Sequence, residues 1–194
     1  MSQHRRACGR ARTGSRLLLG IALFALASGG AGCRGEDPSR SDEAMLLMLS
    51  EARALQRYAD LKLIDGDVEG AIASVRQVLA IRFPPAAPET EDVLLDAHAR
   101  LARLLLSRGG QEAEEAALAE LAAARRLATR DSFFRSHIEN VAADVYAARA
   151  KRLTAPEAQK EARRQEAQAL ERVIEIDRRL QRALFNTREP ARDK

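Results

Sequence analysis

Tryptophan is absent from this 194-residue chain, aromatic rings come only from two tyrosines and five phenylalanines, and cysteine occurs twice. So few rings exclude the alternation of aromatic and basic side chains on which single-stranded nucleic acid stacks. The histidines are His4, His98 and His137, and none has a second ligand at i+3 or i+4 of a type suited to zinc. His98 falls at an apolar position and His137 near a helix start, which reads as packing or surface rather than metal ligation. No phosphate-cradling glycine loop, dinucleotide turn, GxSxG or HExxH pattern occurs. The expectation is a protein that is not an enzyme and has no metal and no cofactor. Runs of β-branched or aromatic residues with a period of two are also missing, while Ala, Leu, Glu and Arg dominate. These are strong helix formers, so the predicted fold class is all-α.

Residues 1–16 carry five arginines and no acid, and the apolar run LLLGIALFALA follows at 17–27. A charged segment before a short apolar one is the pattern of an export signal. A membrane-spanning helix needs roughly 20 apolar residues, and here SGG breaks the run well before that. Gly30, Ala31 and Gly32 offer the small side chains that a signal peptidase accepts, directly ahead of Cys33. This arrangement resembles the signal of bacterial lipoproteins, although that family usually has Leu where this chain has Gly30. The resemblance implies removal of residues 1–32, a lipid anchor on Cys33 and a tether over 33–41; ordinary secretion, with a free thiol at Cys33, is the alternative. Arg34 stands where the resemblance would place Asp for inner-membrane retention, which points to an outer-membrane protein facing the periplasm.

Loss of the leader changes the charge argument. Without its five arginines the chain has 27 basic residues against 28 acidic ones, a net charge near −1, so the basic balance of the full chain is no case for nucleic acid. Cys8 leaves with the leader, no internal disulfide is then possible, and stability must come from packing.

Punctuation divides residues 42–185 into six helical segments. DGD at 65–67 turns the chain, and Asp67 can cap the second helix. FPPAAP at 83–88 stops that helix, and RGG at 108–110 supplies glycine for the next reversal. Asp131 or Ser132 can cap the fifth helix, and Thr154 with Glu157 reads as a capping box for the sixth. Residues 186–194 read as a disordered polar tail. Short connections within pairs imply three antiparallel hairpins.

The first hairpin carries Leu55, Tyr58, Ala59, Gly66, Asp67, Ala71, Val75, Val78 and Pro84. These landmarks resemble a tetratricopeptide repeat, in which small residues let the two helices of a hairpin approach closely. The second hairpin has His98, Leu101, Ala102, Leu105, Gly109, Ala117, Leu121 and Ala124 at similar places, and the third has Ile138, Val141, Ala142 and Val145. The resemblance implies three hairpins stacked as a short right-handed solenoid with an extended C-terminal helix; a plain six-helix bundle is the alternative. Arg164, Arg172, Arg179 and Arg182 would form the polar outer face of the last helix.

Repeats of this kind bind a peptide or helix along the concave surface lined by their first helices. On this chain the resemblance places Arg53, Gln56, Asp60, Leu63, Asp96, Arg103, Leu106, Glu139 and Tyr146 there, with Leu63 and Leu106 equally placed to pack on the next hairpin. That mixed-charge groove suits another envelope protein, in a scaffold or adaptor role in envelope assembly. The alternative is a structural helical lipoprotein linking membrane to cell wall, or self-associating through residues 155–185. Glu157/Glu161 and Glu171/Glu175 lie at i, i+4 among many bases and read as a solvated, salt-bridged surface.

Overall fold

Six helices account for nearly all of the folded chain in a computed structural model that describes residues 38–84 and 87–186. They are α1 (Pro38–Ile64), α2 (Val68–Ala80), α3 (Pro88–Ser107), α4 (Gln111–Leu127), α5 (Phe133–Arg152) and α6 (Pro156–Asn186). No strand occurs among the described residues, and the protein is all-α. The expected leader at 1–32, Cys33, the first part of the expected tether and residues 187–194 lie outside the described residues.

The turn chemistry explains the helix ends. Gly66 has φ +78°, a left-handed conformation that costs a side chain but not glycine. Asp67 then accepts from Gly70 N at 2.8 Å and pairs with Lys62 at 3.0 Å, satisfying an N-terminal amide of α2. Gly109 and Gly110, both at positive φ, reverse the chain between α3 and α4. Ser132, rather than Asp131, caps α5 by accepting from Arg135 N at 3.2 Å.

Two boundaries differ from expectation. α1 begins at Pro38, inside the segment read as tether, because proline fits the first helical turn, where its missing N–H costs nothing. α6 begins at Pro156, so its first carbonyl acceptor is Ala155, which takes Gln159 N at 3.0 Å. Thr154 is therefore one position too early to be the cap, and the side chain of Gln159 bonds the Leu153 carbonyl instead.

Each helix packs on its successor, and α3 also lies against α5. Ala59 of α1 and Ala71 of α2 are completely buried, as are Ala102 of α3, Ala117 and Ala124 of α4, and Ala142 of α5. With no side chain beyond Cβ, these let helices approach, while Ile72, Leu95, Leu101, Leu121 and Ile138 fill the space between them. Each such large side chain contributes about 1.5–3 kcal/mol by leaving water. Ala162, Ala169 and Ile176 bury the inner stripe of α6. Tyr58, by contrast, is exposed although the repeat reading makes it a landmark.

Candidate partner-binding face

The first helices of the three hairpins, α1, α3 and α5, are joined across one face by polar side chains. Gln56 of α1 donates to Asp96 of α3 at 3.2 Å and accepts from Arg100 at 2.7 Å; Arg100 also pairs with Asp60. Arg103 of α3 meets Asp144 of α5 at 3.6 Å. These partners sit one turn apart along each helix, so the contacts set the register between neighbouring first helices. His137 of α5 lies near this cluster: its burial, and then the Arg103 charge, lower its pKa, against the opposing pull of Asp96 and Asp144. It is the neutral form that this environment favours.

Between α1, α3 and the start of α5 a cleft of about 260 Å³ opens. Leu49, Ala52, Val93 and Phe134 form its apolar wall, and Arg53, Gln56, Glu89, Asp92 and Asp96 its polar one. Asp92 pairs with Arg130 at 2.7 Å through Oδ2, while its buried Oδ1 has no hydrogen-bond partner among the described residues. A buried carboxylate oxygen left without a donor is costly, and a donor arriving in the cleft would relieve that cost.

Of the nine expected groove residues, Arg53, Gln56 and Asp96 come together at this cleft, with Asp60 beside it in the Arg100 pair. Arg103 is exposed next to Asp144. Leu63 is exposed near the end of α1, whereas Leu106 and Tyr146 are partly buried against the core. Glu139 is not a groove residue. It is buried, with Arg125 of α4 at 2.7 Å on both carboxylate oxygens and Arg172 of α6 at 2.8 Å. Burial alone would raise its pKa, but the hydrogen bonds from the two guanidinium groups outweigh it and hold the carboxyl below its ordinary value.

Several residues that shape this part of the molecule were not anticipated. Glu114 of α4 is a second buried carboxylate, bonded by Arg152 at 2.8 Å and by Arg149 at 3.4 Å, both on α5. Arg152 hydrogen bonding lowers its pKa, against desolvation. Arg172 and Arg179, expected on the outer face of α6, are exposed there and at the same time reach Glu139 and Asp131, and Arg179 also holds Glu175. Arg164 and Arg182 are exposed as well. His98 bonds Glu120 at 2.8 Å, an α3–α4 contact. The sequence signal for Glu114 was an acid on an otherwise alanine and leucine stripe, Ala113, Ala117, Leu121 and Ala124. No group of three or more His, Cys, Asp or Glu side chains positioned to hold a metal occurs among the described residues.

Compared with known proteins, the chain matches no family model, no curated protein and no solved structure.

Proposed function

We propose that this protein is a lipid-anchored scaffold of the cell envelope, whose three hairpins stack as a short tetratricopeptide-like solenoid and hold another envelope protein on the face of α1, α3 and α5. The observation that carries the reading is the open cleft on that face, where an apolar wall adjoins a polar one that includes Asp92, whose Oδ1 has no hydrogen-bond partner among the described residues. The order of packing supports the solenoid: each helix meets the next, α3 lies against α5, and α1 is tied to α3 by side-chain hydrogen bonds. A closed bundle would instead bring the first hairpin against the third. The buried alanines support the same reading, since every one of the six helices carries at least one.

The role of such a face is to bind. Backbone-extended or helical segments dock in grooves of this kind through a few side chains in pockets, and polar groups at the rim select among partners. The test is an in-cell crosslink and pull-down comparing the parent chain with a variant carrying Arg53→Glu and Glu89→Arg. Both positions are exposed on the cleft wall, so the fold is retained. A specific envelope protein recovered with the parent and lost with the variant is the expected result. Equal recovery with both would remove the cleft as the binding site.

Anchoring is tested separately, by fractionation. Cys33→Ala is expected to move the protein from the membrane to the soluble periplasmic fraction; retention at the membrane would remove the lipid anchor from the reading.

A second reading, the self-associating structural lipoprotein, is favoured by one observation: Leu170, Ile174, Leu184 and Phe185 of α6 are exposed. If it holds, Leu170→Glu with Ile174→Glu should abolish function while the cleft variant leaves it intact.

A further inference from the structure

α1 and α3 carry corresponding faces, with Ala59 and Ala102 both fully buried at equivalent positions. In this register Ala54, Tyr58 and Leu61 of α1 correspond to Ala97, Leu101 and Leu104 of α3. α3 packs against the preceding hairpin through α2, and its three residues are 0, 1 and 6% exposed. α1 has no preceding hairpin among the described residues. There Tyr58 is 50% and Leu61 57% exposed, and Leu47, two turns before Ala54, is 67% exposed. Ala54, Tyr58 and Leu61, whose counterparts are interior in the second hairpin, thus stand uncovered in the first, and Leu47, whose counterpart is Thr90, extends the apolar stripe.

Two leucines of this stripe stand symmetrically about Ala54, while the mirror position of Tyr58 is Ser50. Leu47 and Leu61 lie seven positions to either side, about 10 Å along the axis in each direction. Laid against an antiparallel copy of itself, the stripe puts Leu47 opposite Leu61 of the second copy, and Ala54 opposite Ala54 at the crossing point. The alanine permits close approach of the axes there. On one flank Glu51 and Tyr58 lie three and four positions from the centre, so the phenol hydroxyl can donate to Glu51 of the second copy. A two-fold interface must be self-complementary, and this one meets that requirement with apolar and polar pairs together.

We infer that the outer face of α1 is a homodimer interface, in which two copies of this chain pair antiparallel about Ala54. The contact extends the protein's own hairpin-to-hairpin packing to a second molecule, and it is independent of the cleft and of the lipid anchor. One helix pair buries a modest area, so the dimer forms in a concentration-dependent way.

The test uses the full chain expressed in cells and a short bismaleimide crosslinker, with the parent chain as the control for its own Cys8 and Cys33. Ala54→Cys is expected to crosslink with itself above the parent level. Leu47→Cys and Leu61→Cys are expected to crosslink when the two are coexpressed and not when either is expressed alone. Adding Leu47→Glu and Leu61→Glu to Ala54→Cys should reduce the product by about tenfold or more, because two apolar contacts become charged. Both sites are exposed in the monomer, and unchanged helical circular dichroism checks that the fold survives. Absence of product at Ala54→Cys, or product that persists in the charged variant, overturns the inference. Equal self-crosslinking of Leu47→Cys alone means a parallel pair and overturns the antiparallel register.

Discussion

Two kinds of residue carry most of the information in this protein: the small ones at helix crossings and the carboxylates trapped among arginines. Ala59 and Ala71 have no accessible surface, so enlarging either to Leu forces side chains into a filled space. Ala59→Leu is expected to destabilise by ~1–3 kcal/mol, read as a lower melting temperature. Glu139 and Glu114 behave differently, since both are buried acids whose pKa values are held below the ordinary 4.5 by arginines. Each binds its proton more weakly folded than unfolded. Their contribution to stability is therefore complete above about pH 4.5 and is lost as the pH falls through the lower folded values. Thermal melts at descending pH should show this loss, with a shallower slope in the double variant Glu114→Gln, Glu139→Gln. At neutral pH, Glu139→Gln alone should cost ~1–3 kcal/mol, because two guanidinium groups lose their charged acceptor. The alanines were legible because they recur at matching places in each hairpin. Glu139 was not, because periodicity assigns it to a face of α5 without saying that α4 and α6 each bring an arginine there.

At the scale of elements, the chain announces its helices through their ends. Glycine at positive φ after α1 and α3, prolines at the starts of α3 and α6, and Asp67 and Ser132 at caps are all local features whose effect needs no tertiary contact. Ser132→Ala removes the acceptor for Arg135 N and should cost ~1 kcal/mol in denaturant unfolding, with the cap of α2 unaffected. Gly70 shows how tightly a cap can be built: a Cβ there would collide with the Asp67 carboxylate, so Gly70→Ala should disturb the cap despite alanine's better helix propensity. The start of α6 falls one residue later than a Thr154 cap predicts, with Pro156 in the first turn as expected, where its fixed φ suits a helix beginning. The two faces of α6 were likewise blurred. Arginine side chains are long enough to reach either way around the helix, so Arg172 and Arg179 could be placed only once Glu139 and Asp131 were in position.

Across the whole molecule, contacts run between successive helices, with α3 and α5 adding a link between the second and third hairpins. In the proposed solenoid, stability would be a sum of local and nearest-neighbour contributions, although the buried side chains of all six helices join in one contiguous cluster. Amide hydrogen exchange should reveal this: Ala59→Leu is expected to accelerate exchange in α1, α2 and the adjoining part of α3, and to leave α6 at its parent rate. Uniform acceleration across all six helices would instead indicate a single cooperative bundle. The helical class, the six segments, their hairpin pairing and the small residues at the crossings were determined by sequence alone, because each depends on propensity, periodicity or turn chemistry over a few consecutive residues. The cleft between α1 and α3, the burial of Glu114 and Glu139, the pairing of two arginines of α6 with Glu139 and Asp131 and the uncovered stripe on α1 were decided only by tertiary structure. Each depends on which helix lies beside which, and helical periodicity specifies the face a residue occupies while leaving open what stands opposite it.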